Sequence, residues 1–145
     1  MPVISPLDQN DHARWKVLAR AYMAFYETIR TDAEYETLWH RITEGRHIHS
    51  VGARVDGQLV GIAHYLFHAR SWTADVCYLQ DLYVDESARA AGVGRALVEH
   101  VARAASERNS PRLYWLTHEG NATARALYDN LASHSGFIRY EKSLP

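Results

Sequence analysis

Apolar residues recur at steps of three and four between about Asn10 and Ile29, which places Trp15, Leu18, Ala19, Tyr22, Phe25 and Tyr26 on one face of a helix. Thr31-Asp32-Ala33-Glu34 has the form of a capping box, with Thr31 as N-cap and Glu34 reaching back. It opens a second helix that carries Tyr35, Leu38, Trp39 and Ile42 and stops near Gly45. Beyond Gly45 the period falls to two. Val51 to Val55 and a run from Gln58 to His64 or Phe67 read as strands, joined by Asp56-Gly57, a pair suited to the positive φ of a type I′ turn. A longer strand is expected from about Asp75 to Val84. Helix returns from about Gly92 to Asn109, with Val93, Leu97, Val101, Ala104 and Ala105 on one face. Leu113 to Thr117 reads as a strand, Asn121 to about Ser133 as a helix, and Phe137 to Lys142 as a closing strand. With Val3-Ile4 as an opening strand, the order is β-α-α-β-β-β-α-β-α-β. Such interleaving predicts one α/β domain over residues 1–145, a mixed and mostly antiparallel sheet flanked by helices. The strands on either side of the long helix, within residues 75–117, should run parallel.

Composition narrows the classes of function. Hydrophobic residues are 47% and charged residues 23% of the 145, which excludes a disordered chain. Lys plus Arg number 16 against 17 Asp plus Glu, so global charge offers no case for nucleic acid or an anionic membrane. No apolar run approaches the roughly 18 residues of a membrane span. The start, Met1-Pro2-Val3-Ile4-Ser5-Pro6, lacks the basic and apolar parts of a signal peptide, and the expected compartment is the cytoplasm. Cys77, the only cysteine, reads as a buried small hydrophobe. The nine histidines are scattered. His64 and His68, four apart on a strand, would stand about 13 Å from each other, too far for one ion. No Cys-His spacing or acid cluster points to a metal.

The richest stretch is Leu82-Tyr83-Val84-Asp85-Glu86-Ser87-Ala88-Arg89-Ala90-Ala91-Gly92-Val93-Gly94-Arg95-Ala96-Leu97. A strand runs into a loop and the loop into a helix. Gly92 and Gly94 allow positive φ and close approach of a ligand to the backbone. The helix start leaves N–H groups unpaired and adds partial positive charge, which together suit a pyrophosphate, with Arg89 and Arg95 as further donors. A dinucleotide fingerprint would need Gly or Ala at Leu97, and a nucleotide-hydrolase loop would need Gly-Lys-Ser/Thr.

Arg89-x-x-Gly92-x-Gly94, between a Leu-Tyr-Val strand and an amphipathic helix, resembles the signature of the GNAT superfamily of acetyl-CoA-dependent N-acetyltransferases. The resemblance extends over about residues 3–141. Tyr78-Leu79-Gln80-Asp81-Leu82-Tyr83-Val84, with Tyr114-Trp115, Asn121 and Tyr128, is most similar to the diamine (spermidine/spermine) and fungal histone/polyamine acetyltransferases. It implies that acetyl-CoA is the co-substrate, and from the residues themselves no metal is expected. The Leu82, Tyr83 and Val84 backbone would pair with the pantetheine arm, and the N–H groups of Arg89, Ala90, Ala91, Gly92, Val93, Gly94, Arg95 and Ala96 would hold the pyrophosphate. Asn121 would contact the pantetheine and Tyr128 would stand near the sulfur. Backbone N–H groups where the fourth and fifth strands splay would polarise the thioester carbonyl. Family members often pair through their last strands, which admits a homodimer. Ala90 stands where the family often has Gly, a difference of little weight if the backbone there is ordinary. Gly136-Phe137 follows Tyr128 about one helical turn later than is usual.

Independently of the resemblance, Asn121 is a good N-cap, and seven helical residues turn through about 700°, so Asn121 and Tyr128 share a face. A phenol that stays protonated at neutral pH can donate to a departing thiolate. An acceptor amine is mostly protonated and must lose a proton to attack, so acidic and aromatic groups suit it. Candidates are Asp81, Glu27, Tyr22, Tyr26, Trp39 and Trp72. Gln80 stands where the diamine enzymes carry a glutamate and cannot take a proton, which leaves Asp81, a water chain or no base at all. The expected activity is direct transfer of acetyl to a primary amine in a ternary complex. The acceptor is a small amine such as a polyamine or an amino acid, with a protein lysine or N-terminus as the alternative. A non-catalytic CoA-binding sensor is the competing class.

Overall fold

The computed structural model describes residues 1–145. Its strands are β1 (Val3–Ser5), β2 (His49–Val55), β3 (Gln58–His68), β4 (Val76–Val84) and β5 (Leu113–Tyr114). Its helices are α1 (His12–Phe25), α2 (Asp32–Glu44), α3 (Val93–Glu107) and α4 (Ala122–Leu131). The strands form one sheet in the order β1-β2-β3-β4-β5, antiparallel except for the parallel β4–β5 pair across α3.

Local chemistry sets the element ends. Thr31 Oγ1 accepts the Glu34 N–H at 3.2 Å and Glu34 Oε2 accepts the Thr31 N–H at 2.7 Å, the reciprocal box expected at the start of α2. Gly45, at φ +67°, closes that helix. Asp56 (φ +50°) and Gly57 (φ +79°) make the β2–β3 turn left-handed at both central residues. The predicted first helix is longer than α1. Glu27, at φ +53°, turns the chain left-handed, the Thr28 N–H bonds to the Met23 carbonyl at 2.9 Å and the Glu27 N–H to that of Ala24 at 3.0 Å. This Schellman closure ends α1 before Ile29. Asn109, at φ +59°, ends α3 in the same way.

The sheet separates two cores. On one face α3 packs Val93, Leu97, Val98, Val101 and Ala105 against Val51, Ala53, Ala63, Cys77 and Leu79. On the other, α1 and α2 pack Trp15, Leu18, Tyr35, Trp39 and Ile42 against Leu59 and Ile62. No helix is long and apolar enough to cross a membrane.

Two expectations fail at the C-terminal end. The fifth strand stops at Tyr114 instead of Thr117, and no strand forms over Phe137 to Lys142. A strand exists through its ladder, and β5, only two residues long, offers its outer edge to little more than two residues of this segment. Phe137, Ile138, Tyr140 and Leu144 are accordingly exposed. The extra residues between Tyr128 and Gly136 are not an added helical turn, because α4 ends at Leu131.

Candidate active site

β5 pairs with β4 only at Cys77–Leu113 and Tyr78–Tyr114. From Leu79 onward β4 keeps β3 on one side and has no strand on the other. This splay leaves the Leu82–Val84 backbone with an open edge leading directly into the glycine turn.

In that turn Ala90 (φ +71°) and Gly92 (φ +75°) are both left-handed. The backbone at Ala90 is therefore not ordinary: an alanine holds a conformation that favours glycine. Gly94, by contrast, is not left-handed. A Cβ there would meet Leu127 Cδ2 at 3.3 Å, so its smallness serves the packing of α3 against α4. Not every amide of residues 89–96 is free. The amides of Arg89, Ala91 and Ala96 already bond to the carbonyls of Glu86, Ala88 and Gly92. Those of Ala90, Gly92, Val93, Gly94 and Arg95 have no backbone acceptor, and no side chain caps α3. Arg89 Nε donates to the Val84 carbonyl at 3.0 Å, and its guanidinium lies 5.5 Å from the Tyr83 ring centroid. Arg95 pairs loosely with Glu99 at 3.9 Å. A clamp not anticipated from sequence holds the turn to α1. Arg14 Nη2 donates to Asp85 Oδ2 at 2.6 Å and its Nε to the Leu59 carbonyl at 2.9 Å. The Arg14 hydrogen bond holds the Asp85 carboxyl below the usual carboxylate range.

Opposite the open edge, the ladder shifts register between His64 and Tyr65, with His64 facing Asp81 and Tyr65 facing Leu79. Gln80 is the extra residue of this bulge and is exposed. The bulge sends Leu79 to the α3 side and Asp81 to the α1 side, where Tyr83 also lies. Asp81 Oδ2 and His64 Nδ1 are 3.0 Å apart. Burial and then the neighbouring Asp81 carboxylate push the Tyr22 phenol far above the ordinary tyrosine range. The Tyr22 ring packs edge-on to Tyr26 (5.1 Å) and Tyr83 (6.2 Å), and Tyr26 lies 5.8 Å from His118.

Tyr26 also lines a cleft of about 500 Å³ with Phe25, Glu27, His118, Asn121 and Thr123. Asn121 caps α4: its Oδ1 accepts the Ala124 N–H at 3.4 Å and its Nδ2 donates to Thr117 Oγ1 at 3.3 Å. Asn121 stands before the first residue of α4 with ψ +72°, outside the helical range, and lines the cleft, while Tyr128 lies within the helix. The Tyr128 ring packs edge-on to Trp115 at 5.3 Å. Burial, with Tyr26 nearby as a smaller cause, raises its phenol above the ordinary value, so it remains protonated at neutral pH.

Two aromatic candidates fall away. Trp39 is a core residue, packed 5.0 Å from Trp15, and Trp72 is exposed in the β3–β4 turn, at the end of β4 remote from the glycine turn. Cys77 is buried, faces α3, and has its thiol pushed up to about 11 by burial. His64, the partner of Asp81, was readable only as one of the scattered histidines. Its signal is a single polar residue inside the apolar run Ile62-Ala63-His64-Tyr65-Leu66-Phe67.

A model of the acetyltransferase (GNAT) family matches residues 15–132. The chain belongs to that family. It is 33% identical to a D-amino-acid N-acetyltransferase (HPA3) of Saccharomyces cerevisiae, over 97% of this chain and 90% of the other. It is 26% identical to a thialysine N-epsilon-acetyltransferase of Caenorhabditis elegans, over 67% of this chain and 64% of that one. Its fold is that of the aminoglycoside N-acetyltransferase AAC(6')-Iy solved with a bisubstrate analogue of CoA, with a TM-score of 0.85 at 19% identity over 99% of both chains. A ribosomal-protein-alanine N-acetyltransferase of Brucella melitensis gives 0.82 at 23% identity, again over 99% of both. The family and its named relatives make this chain an acetyl-CoA-dependent N-acetyltransferase.

Proposed function

We propose that the protein acetylates a small primary amine that enters beside Glu27 and Asp81, with Tyr128 as general acid. The observation that carries this reading is the convergence of Asp81, Tyr22, Tyr26 and Tyr128 from three different elements at the open edge of β4. Acetyl-CoA supplies the activated acetyl thioester. The residues present fit it: the free Leu82–Val84 edge suits the pantetheine amides, and the unpaired amides of Gly92, Val93, Gly94 and Arg95 suit the pyrophosphate. A Cβ at Gly92 would meet nothing within 4 Å, so the approach to those amides is open.

On the acceptor side, Asp81 offers negative charge beside the Tyr22, Tyr26 and Tyr83 rings, a setting that attracts an ammonium and can receive its proton. On the other side, the protonated Tyr128 phenol can donate to a thiolate, whose reference pKa of about 8.5 lies below that of a phenol. Glu27 is the one Asp, Glu, Lys or Arg lining the 500 Å³ cleft, and no Lys or Arg is there to take a carboxylate. This charge favours a cationic acceptor, a diamine, a polyamine or the side-chain amine of a basic amino acid. The likeness to the D-amino-acid enzyme favours a second reading, the α-amine of a free amino acid. Thiol release measured against diamines, polyamines, D- and L-amino acids and basic peptides separates them. Turnover confined to monoamine amino acids would sink the cationic reading. Acetyl-CoA binding without turnover on any amine would sink the enzymatic one.

A further inference from the structure

We propose that His64 and Trp15 are positioning residues for the acceptor: a tautomer-locked imidazole holds the Asp81 carboxylate in one orientation. This rests on the reading of Asp81 as the acceptor-side carboxylate. An indole N–H is a donor only. Trp15 is fully buried, and its Nε1–H donates to His64 Nε2 across 3.0 Å. That nitrogen therefore carries the lone pair, and the single ring proton sits on Nδ1. Nδ1–H then donates to Asp81 Oδ2, also at 3.0 Å. The opposite tautomer would set two buried donors against each other and leave the carboxylate without its partner. His64 is only 3% exposed, so water does not replace either bond.

Each part of the fold contributes to the lock. The bulge at Gln80 puts Asp81 opposite His64 in the ladder. Trp15 is fixed from behind by Trp39 of α2, so a helix with no residue in the cleft still orients the acceptor site. The only lone pair of His64 is taken by Trp15, so the ring works as a fixed donor and not as a proton carrier. Oδ2 of Asp81 is committed to it, and the carboxylate also meets the Tyr22 phenol, the side from which the ammonium would enter.

Two isosteric changes take the lock apart. In His64→Gln the amide reaches the place of Nε2 and can keep Trp15, but loses the donor to Asp81. In His64→Asn the amide nitrogen falls near Nδ1 and keeps that donor. Steady-state kinetics with the best amine of the panel should show His64→Gln losing about tenfold or more in acceptor kcat/KM. Its acetyl-CoA Kd should not change, and His64→Asn should retain most of the activity. The loss should not add to that of Asp81→Asn. Long-range proton–nitrogen spectra of the histidine-labelled wild-type protein, recorded without substrate, should show the Nδ1-protonated ring, whatever the variants' stability. A proton on Nε2 overturns the inference. So does an inert His64→Gln, within twofold of wild type, beside an Asp81→Asn that loses activity. An inert Asp81→Asn overturns the acceptor-site reading itself, and this inference with it.

Discussion

Ala90 and Gly92 hold nearly the same left-handed conformation, at φ +71° and +75°, two residues apart in the proposed cradle. Exchanging their side chains one at a time should give opposite effects. A left-handed L-residue is worse than glycine by about 1–2 kcal/mol. Glycine's freer unfolded chain offsets about 0.4–1 kcal/mol of that. Ala90→Gly should therefore stabilise the protein by about 0.5–1 kcal/mol, and Gly92→Ala should destabilise it by a similar amount. Neither estimate needs a clash correction at Gly92, where an added Cβ meets nothing within 4 Å. Urea unfolding should show the two midpoints moving apart with unchanged slope, and melting should move by about 3 °C per kcal/mol. Calorimetric titration with acetyl-CoA adds the functional half. The Gly92→Ala methyl stands at the open approach to the unpaired amides and should weaken binding about tenfold, or about 1.4 kcal/mol. Ala90→Gly should leave binding within about threefold. A midpoint that falls or stays put in Ala90→Gly would refute the strained turn and, with it, the cradle as drawn.

Tyr128→Phe should lower kcat by about 10²–10⁴ with unchanged acetyl-CoA affinity, and the wild-type rate should not decline until pH passes the ordinary phenol value of about 10, since burial raises this group. An alkaline limb near pH 8 in the wild-type profile would count against Tyr128. Glu27→Gly separates two effects of one residue: the left-handed end of α1 should gain about 0.5–1 kcal/mol in urea unfolding, while KM for a cationic amine rises. Asp85 is held below its usual range by Arg14, so its contribution is present above the unfolded value of about 3.9 and is lost as pH falls through the lowered folded value. Asp85→Asn should thus be less stable than wild type at pH 7 and indistinguishable from it near pH 2, as read by urea midpoints at the two pH values.

Much of this was legible because the relevant rules are local. The Thr31–Glu34 box, the Asp56-Gly57 turn and the apolar face of α3 depend on neighbours within a few residues, and each formed as read. The Asn121 cap of α4 followed from residue type alone. The closing strand was not legible, since Phe137 to Lys142 has the alternation of a strand but pairs with no strand of the sheet. Nor were the left-handed turns at Glu27 and Ala90, whose side chains advertise nothing of the kind. The Arg14–Asp85 and Trp15–His64–Asp81 links join residues far apart in sequence, and only the packed sheet brings them together.

The bulge at Gln80 lies between these cases. Strict alternation puts Leu79, Asp81 and Tyr83 on one face of β4. The pairing of Asp81 with Tyr83 is correct, but Leu79 faces the other way. The clue is in the apolar pattern. Cys77 and Leu79 face the α3 core at a step of two, then Leu82 and Val84 do so after a step of three. A ladder cannot keep all four apolar residues on one face without an extra residue between Leu79 and Leu82. That residue costs the sheet one ladder position. In return it turns the only carboxylate of β4 away from the α3 core and toward His64, at the point where the strand loses its partner β5. A slip of phase in the hydrophobic pattern, with an acid at the slip, marks the candidate acceptor site more sharply than any single residue in it.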